Sequence, residues 1–218
     1  MKIAVFDVCG TLYNANTTFA FLDDYFSANK KYLFFRKVSN FFVVKVLNHY
    51  IYKYFKTDMI RVVATSFLKG EKVESVASYS QDFVHQKLQN KIKQNIYKKL
   101  KQYKEENYTI VLMSGSYEFI IKDVLDYVGA DYFFASKLKV NNGIYEGQYE
   151  EDILLSKVEI LKDKFPNISE LIVVSDNKTD LNLMLVANKA FAICNKKKHC
   201  SFWKKNMNKK IEVLKDYV

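Results

Sequence analysis

The chain has 218 residues, of which 49% are hydrophobic and 27% are charged, and its formal net charge at pH 7 is +10. This globular composition excludes a disordered chain, and the single Pro and six Gly exclude a collagen-like one. The three Cys show no CxxC spacing, which favours a reducing compartment over a disulfide scaffold or a Cys-rich zinc site. The apolar start is too short for a signal peptide, and no uncharged stretch reaches the ~20 residues that span a bilayer, so we expect a cytoplasmic protein.

The first half of the chain predicts one strand followed by helices. Lys2–Phe6 is a short apolar run that ends at an acid, which predicts a buried strand delivering Asp7 to its carboxyl end. From about residue 17 to residue 104, apolar residues recur at helical spacing and Gly70 is the only Gly. Asp58 is predicted to be the N-cap of a helical segment over Met59–Leu68. Helix breaks are expected near Asn29-Lys30, Thr57-Asp58 and Gly70.

The second half alternates between strand and helix patterns. Asn142-Gly143 between two strand-like runs predicts a hairpin over 138–148. Such alternation predicts a parallel sheet with helices on both faces, and the chemistry of such sheets lies at the carboxyl ends of the strands. Strands are predicted over 108–113, 132–135, 171–174 and, as the last of the chain, 190–194. Helices are predicted over 117–128, 153–165 and 180–187.

Four separated pieces of sequence are predicted to meet at this edge of the sheet. Each alone has an ordinary interpretation as a turn, a loop, a solvated Lys or a helix cap. Their order along the chain, acid, hydroxyl, ammonium and acids, indicates a common site. The four pieces are Asp7–Leu12, Ser114–Ser116, Lys157 and Asp176–Asp180.

This set of side chains suits phosphoryl transfer. Asp7 and Asp176 can share a Mg²⁺ ion, which accepts one or two carboxylates together with water and a substrate phosphate. The cation would allow Asp7 to approach an anionic phosphate and to form an aspartyl-phosphate. Ser114 and the backbone beside it offer donors to phosphoryl oxygens, and Lys157 adds positive charge. Asp180 would bind the cation or orient its water shell.

The same residues resemble the haloacid dehalogenase superfamily, in its phosphoserine-phosphatase-like branch. The matching motifs are Phe6–Leu12, Leu112–Ser116, Lys157 and Val174–Asp180. The resemblance implies an α/β fold with a Rossmann-like core of parallel strands, an inserted all-helical C1-type cap, and Mg²⁺. We expect the core to comprise residues 1–15 and 105–218 and the cap to comprise residues 16–104. A looser similarity links the chain to bacterial phosphatidylglycerophosphate phosphatases of this superfamily.

The substrate contacts are predicted from the motifs and from the cap. Phosphoserine enzymes of the family carry a Glu nine residues after the nucleophile, where this chain has Asn16, and a cap Arg, for which Arg61 is the candidate. Charge pairing with a substrate amino group is therefore weakened. Residues within the motifs complete the expected substrate site, namely Thr11, Gly115, Ser116 and Asn177.

Cys9 departs from the family pattern. The family usually has a second Asp two residues after the nucleophile, which protonates the leaving alcohol and later activates water. A thiol with an ordinary pKa of about 8.5 is mostly protonated near neutral pH and cannot accept a proton from water. We expect phospho-enzyme formation to be partly preserved and its hydrolysis to be slow, with the Cys9 backbone carbonyl still available to Mg²⁺. A phosphotransferase and a catalytically impaired binding or regulatory protein remain alternatives, as does a small buried Cys without a chemical role.

Partners are less clearly indicated by the sequence. The aromatic stretch of the predicted cap, residues 32–55, suggests either a helical pair packing its own core or a surface for lipid substrates or peripheral membrane contact. The substrate would be a small-molecule or lipid phosphate. Nucleic acid is not favoured, because base readout prefers Arg and the chain has only Arg36 and Arg61. The oligomeric state stays unknown from the sequence.

Overall fold

A computed structural model describes residues 1–206 and 210–216, leaving aside the side chains of residues 198 and 199. Within these residues the strands form one sheet of seven. They are β1 (Lys2–Phe6), β2 (Thr109–Tyr117), β3 (Tyr132–Asn141), β4 (Ile144–Glu151), β5 (Glu170–Ser175), β6 (Lys189–Cys194) and β7 (Ile211–Lys215). Their order across the sheet is β4-β3-β2-β1-β5-β6-β7, and all neighbours are parallel except the antiparallel pair β3–β4. The predicted α/β architecture, a Rossmann-like core with a mostly parallel sheet, is confirmed.

The described residues contain ten α-helices and three short 3-10 turns. The helices are α1 (Thr17–Tyr25), α2 (Lys30–Ser39), α3 (Phe42–Phe55), α4 (Met59–Ser66), α5 (Val73–Gln86), α6 (Gln94–Glu105), α7 (Glu118–Val128), α8 (Lys157–Lys164), α9 (Leu181–Val186) and α10 (Lys197–Asn206). The 3-10 turns are Leu88–Lys91, Ile153–Leu155 and Lys178–Asp180. None of the described helices is long and apolar enough to cross a membrane.

Strand β1 lies in the middle of the sheet because both of its faces are apolar. Ala4 and Phe6 belong to the larger hydrophobic core, and Ile3 and Val5 belong to the smaller core on the opposite face. This alternation follows from the two-residue period of a strand. Strand β1 pairs with β2 on one side and with β5 on the other. Asp7 therefore lies at the point where the strand order reverses direction, which is where ligands bind in open α/β sheets.

The helix boundaries in the first half of the chain follow local capping. Asn29 caps α2 by accepting from the backbone N–H groups of Lys31 and Tyr32, and Asp58 caps α4 by accepting from Arg61 N. Gly70, with φ +89°, lies between α4 and α5. The predicted breaks and the Asp58 cap are therefore confirmed.

Several predicted boundaries were wrong. Strand β2 continues past residue 113 to Tyr117, with an irregularity in its pairing with β3 between Ser114 and Tyr117. The predicted strand over 132–135 is the start of β3, which runs on into the predicted hairpin. The helices expected over 153–165 and 180–187 are shorter than predicted, because each is preceded by a 3-10 turn and the α-helices are α8 and α9. A further strand, β7, follows the strand that was expected to be the last one.

Helix α6 lies inside the interval predicted for the cap but packs on the sheet. It contacts β1 and β2, and Ile96 and Leu100 belong to the same core cluster as Phe6. The proposed domain limits, residues 16–104 for the cap, stay a prediction. The packing of α6 nevertheless shows that helical character alone does not separate a cap helix from one that covers the sheet.

Candidate active site

The predicted catalytic side chains lie at the carboxyl edge of the sheet, around the end of β1. Asp7 directly follows β1, and its backbone N–H donates to the carbonyl oxygen of Val174 in β5 at 2.9 Å. Asp176 directly follows β5, and Ser114 lies near the end of β2. The parallel register of the three strands therefore gathers residues that are far apart in the sequence.

Lys157, the first residue of α8, connects the two acidic motifs. Its Nζ donates to Asp7 Oδ1 at 2.9 Å and to Asp180 Oδ2 at 2.8 Å, and the residue is 4% exposed. Burial alone would lower the pKa of this amine, but the carboxylates of Asp180 and Asp7 outweigh burial and raise the pKa. Lys157 is therefore a buried ammonium that holds two acids together.

The three carboxylates are not neutralised by this one ammonium. Burial raises the pKa of Asp7 to about 7, Lys157 opposes that rise, and Asp180 and Asp176 reinforce it. Burial also raises the pKa of Asp176, against the hydrogen bond from Thr11. The cluster consequently has a deficit of positive charge that a bound cation would relieve.

Thr11 joins the carboxylates of Asp7 and Asp176. Its Oγ1 lies 3.0 Å from Asp7 Oδ2 and 3.0 Å from Asp176 Oδ1, and it accepts from Asp176 N at 2.8 Å. Because both carboxylate oxygens lie within hydrogen-bond distance of the same hydroxyl, they are close to each other. Thr11 is fully buried and does not line the cavity beside Asp7, so its position suits alignment of the acids, and its expected contact with substrate stays a prediction.

The backbone of Gly10 lies directly beneath Asp176. Gly10 has φ +75°, and a Cβ at this position would come within 2.5 Å of Asp176 Oδ2. Asn195 Nδ2 donates to the same Asp176 oxygen at 2.7 Å and to the Gly10 carbonyl at 2.8 Å. The buried Lys93 also donates to that carbonyl, at 2.8 Å, so the loop after β1 is anchored from several sides.

The donor set fits a hard divalent cation. Asp180 Oδ1 is buried and has no hydrogen-bond partner among the described residues, although the other oxygen of this carboxylate accepts from Lys157 and Ser175. Within the same residues, no group of three or more His, Cys, Asp or Glu side chains is positioned to hold a metal ion by itself. Mg²⁺ does not need such a cage, because it commonly takes one or two carboxylates and keeps water and phosphate ligands.

Cys9 lies beside the nucleophile candidate and stays a neutral thiol. Its Sγ is 2.9 Å from Thr17 Oγ1 and 3.6 Å from Ser114 Oγ. Burial and the neighbouring Asp7 raise the pKa of the thiol, while the Thr17 hydrogen bond opposes them. Cys9 can donate a hydrogen bond near Asp7, but a neutral thiol is a poor proton acceptor.

The segment Ser114–Ser116 leaves the regular β2 ladder where it faces the cavity. Ser116 N donates to Ser114 Oγ at 3.2 Å, and the Ser116 hydroxyl accepts from Thr17 at 2.9 Å and from Thr18 at 3.0 Å. A bulge of this kind turns side chains and backbone groups away from the sheet. The start of α1 therefore supports the hydroxyl-bearing segment from one side.

Arg61 is held in place by protein groups. Its Nη1 donates to Asp152 Oδ2 at 3.0 Å, its Nη2 donates to the Gly115 carbonyl, and its guanidinium lies 5.1 Å from the centre of the Tyr149 ring. The residue is 7% exposed. Arg61 thus reaches the predicted substrate segment, but its charge is already paired with Asp152.

A cavity of about 360 Å³ opens over Asp7. Its walls include most of the predicted site residues, namely Asp7, Cys9, Asn16, Arg61, Ser114, Gly115, Ser116 and Asn177. Asn16 also caps α1, and Asn177 caps the 3-10 turn that precedes α9. Lys157, Asp176 and Asp180 do not line the cavity. Lys157 contacts both Asp7 and Asp180, and Asp176 shares the Thr11 hydroxyl with Asp7.

Sequence reasoning missed two groups of residues around this cavity. Asp152 follows the hairpin and pairs with Arg61 across 91 positions, a relation that no local pattern reveals. The polar side of α3 also lines the cavity, through Lys45, Asn48, His49 and Tyr52. Their spacing of three and four residues along one helix was the available signal.

A Rossmann-like sheet that carries an acid, a hydroxyl segment, an ammonium and further acids at one carboxyl edge has the groups that phosphoryl transfer uses. The sequence profile of haloacid dehalogenase-like hydrolases matches residues 4–185. The chain belongs to this family.

Individual relatives agree with this placement. A phosphoserine phosphatase of Methanocaldococcus jannaschii is 28% identical over 103 residues, which are 44% of this chain and 49% of that protein, so the match spans about half of the relative's length. A protein of unknown function from Bordetella pertussis Tohama I has the same fold, with a TM-score of 0.78, 13% identity, and coverage of 98% of this chain and 97% of that one. A phosphoserine phosphatase solved as a phospho-aspartyl intermediate analogue gives a TM-score of 0.62 and 20% identity, covering 98% of this chain and 92% of that one.

Proposed function

We propose that the chain is a Mg²⁺-dependent phosphomonoester hydrolase that acts through an aspartyl-phosphate on Asp7. The observation that carries the proposal is the buried contact of Lys157 with both Asp7 and Asp180, beneath a cavity that Asp7 lines. A related fold has been solved as a phospho-aspartyl intermediate analogue of phosphoserine phosphatase, which supports the same chemistry here.

The residues that would hold Mg²⁺ are Asp7, Asp176, Asp180 and the backbone carbonyl of Cys9. The unpartnered Asp180 Oδ1 and the charge deficit of the cluster support this assignment. When bound, the ion would supply positive charge that lets a carboxylate and a phosphate approach each other.

In the first step an Asp7 oxygen would form a bond to phosphorus while the bond from phosphorus to the ester oxygen breaks. Ser114 and the backbone N–H groups of Gly115 and Ser116 would receive the phosphoryl oxygens, because this segment lines the cavity beside Asp7. Lys157 would keep Asp7 ionised and aligned. The leaving oxygen needs a proton, and the candidate donor is the neutral thiol of Cys9, which lines the same cavity as Asp7 at the position where the family usually has an Asp.

In the second step water would attack phosphorus, and the bond from phosphorus to Asp7 would break. The attacking water must lose a proton. Because burial and Asp7 raise the pKa of Cys9, a thiolate left by the first step would take up a proton from solvent, and the neutral thiol does not accept the proton of the attacking water. General-base help of this kind is worth roughly 10²–10⁴-fold. Hydrolysis of the phospho-enzyme is therefore the slow step of the proposed cycle.

Cys9 also favours a second candidate function. A long-lived aspartyl-phosphate could pass its phosphoryl group to an alcohol in place of water, which would make the protein a phosphotransferase. If the first step is also lost, the chain would be a catalytically impaired binding or regulatory protein on the same scaffold.

The proposed substrate is a small-molecule or lipid-headgroup phosphomonoester. Asn16 at the cavity wall is uncharged, which disfavours recognition of an ammonium group. A substrate carboxylate would have to compete with Asp152 for Arg61, because the guanidinium already donates to Asp152 at 3.0 Å. Phosphoserine itself is therefore not favoured by the contacts of this cavity.

A panel of phosphomonoesters assayed with Mg²⁺ tests the proposal. We expect a rapid release of alcohol equal to the enzyme concentration, followed by slow turnover, and no release from an Asp7→Asn variant. Cys9→Asp should raise the steady rate by roughly 10²-fold or more if the missing base limits hydrolysis. Alcohol release that survives in Asp7→Asn would refute the assigned nucleophile, and an unchanged steady rate in Cys9→Asp would refute the assigned slow step.

A further inference from the structure

Helix α3 leaves a row of large apolar side chains in contact with solvent. None of its residues is buried. Phe42 is 80% exposed, Val43 66%, Leu47 58%, Tyr50 52% and Tyr54 70%. Because these five residues recur at helical spacing, they lie on one side of the helix, which we name the α3 face.

The α3 face is not needed to build the active-site cavity. The opposite side of the same helix lines that cavity, through Lys45, Asn48, His49 and Tyr52. An apolar row of this extent on a soluble domain commonly marks a surface that contacts a partner or a membrane.

The segment that contains α2 and α3 carries charge of one sign. Between residues 25 and 57 the chain has six Lys and one Arg and no Asp or Glu. Arg36 pairs with Asp23, whereas none of the six lysines forms an ion pair with another described side chain. Lys30, Lys31 and Lys37 lie on α2, Lys53 lies on α3 and Lys56 caps its end, while Lys45 lies on the side of α3 that lines the cavity.

This charge distinguishes between possible occupants of the α3 face. In a two-fold dimer, the same patch meets itself, so the unpaired lysines of one copy would be brought close to those of the other. A surface of anionic lipid would instead neutralise them. The combination of apolar and aromatic residues on one side with lysines around them is typical of helices that lie in the membrane interface.

We propose that the α3 face docks on the surface of an anionic lipid bilayer. The helix has 14 residues and is thus about 21 Å long, which suits a helix that lies on the bilayer and not one that crosses it. Its apolar side chains would enter the boundary between headgroups and acyl chains while the lysines contact headgroup phosphates. The docking does not depend on hydrolysis, but it would place a helix of the cavity wall next to lipid phosphates.

Co-sedimentation of the full chain with vesicles tests this docking. We expect binding to phosphatidylcholine vesicles that contain phosphatidylserine, weakening of that binding as salt is added, and little binding to pure phosphatidylcholine. Absence of binding to the anionic vesicles at low salt would overturn the proposal.

Two variants locate the contact. Phe42→Glu combined with Leu47→Glu should weaken vesicle binding at least tenfold, because it places acids among exposed apolar groups. Val186→Glu is the matched control, since Val186 is 49% exposed on α9, and it should bind as the unaltered chain does. Far-UV circular dichroism establishes that each variant is folded.

The same variants distinguish lipid from a second copy of the chain. Light scattering of the unaltered protein should give a monomer mass over the concentrations used for sedimentation. A dimer that the Phe42→Glu, Leu47→Glu variant dissociates, without vesicle binding by either protein, would assign the α3 face to self-association and overturn the proposal. Equal vesicle binding by the variant and the unaltered chain would overturn it as well.

Discussion

Replacement of Lys157 by Met is the sharpest perturbation of the proposed site. It removes the ammonium that donates to Asp7 Oδ1 at 2.9 Å and to Asp180 Oδ2 at 2.8 Å, while keeping most of the apolar length of the side chain. Breaking a buried ion pair by removing one partner destabilises a protein by about 3–5 kcal/mol. Two hydrogen bonds to charged groups, each worth about 1.5–3 kcal/mol, give a similar total. We therefore expect a loss of about 3–5 kcal/mol in the free energy of unfolding near pH 8 without metal.

The loss should depend on pH, and its sign follows from the pKa of Asp7. Burial raises that pKa to about 7 in the folded chain, and Lys157 is the main opposing influence, so its removal raises the pKa further. An acid with a raised folded pKa favours the folded state at low pH, and this contribution is lost as the pH rises through the folded pKa. The destabilisation by Lys157→Met should consequently be smaller at pH 5 than at pH 8.

Urea denaturation followed by the fluorescence of Trp203 provides the measurement. Trp203 is the single Trp of the chain and is fully buried, so its emission reports unfolding. Lys164→Met on the same helix is the control, because the Lys164 side chain is 60% exposed, and its effect should stay within about 0.5 kcal/mol. If Lys157→Met behaved like Lys164→Met at both pH values, the assigned role of the buried ammonium would be wrong.

Two further predictions concern the cation and the loop beneath it. Burial raises the pKa of Asp7 to about 7, and a proton on Asp7 competes with Mg²⁺. The rise in melting temperature that Mg²⁺ causes should therefore be small at pH 5.5 and larger at pH 8. Equal rises at the two pH values in thermal-shift assays would contradict this. Gly10→Ala should abolish most of the Mg²⁺ effect, since its Cβ would come within 2.5 Å of Asp176 Oδ2, whereas Gly70→Ala should retain it, because Gly70 also has a positive φ but no heavy atom within 4 Å of its Cβ position. In both variants the positive φ should lower the free energy of unfolding by about 1–2 kcal/mol, so this backbone cost does not distinguish them. A Mg²⁺ effect that survives in Gly10→Ala would refute the inferred contact with Asp176.

The sequence alone determined the elements whose signal is local. The apolar run before Asp7, the Asn142-Gly143 turn and the Asp58 cap each depend on a few neighbouring residues, and each prediction is confirmed. The last strand was missed because β7 is short and follows a Lys-rich helix, so its apolar signal is weak. The parallel direction of β1, β2 and β5 followed from the alternation of strand and helix patterns, and with it came the expectation that Asp7, Ser114 and Asp176 meet. The order of the strands across the sheet was not predicted.

Only the tertiary structure decided which side chains are partners across that edge. The sequence motifs already placed Lys157 near Asp7, but the contact of Lys157 with Asp180 as well, and the pairing of Asp152 with Arg61 across 91 positions, are seen only in the fold. Thr11 proved to join two acids, and Arg61 proved to be occupied by Asp152, although their residue types suited substrate contacts. Apolar periodicity shows that a helix has an apolar side, but it does not show what covers that side. The apolar side of α6 packs in the core, whereas no residue of α3 is buried. Which element covers an apolar side is decided by packing, because packing depends on the positions of all helices and strands together.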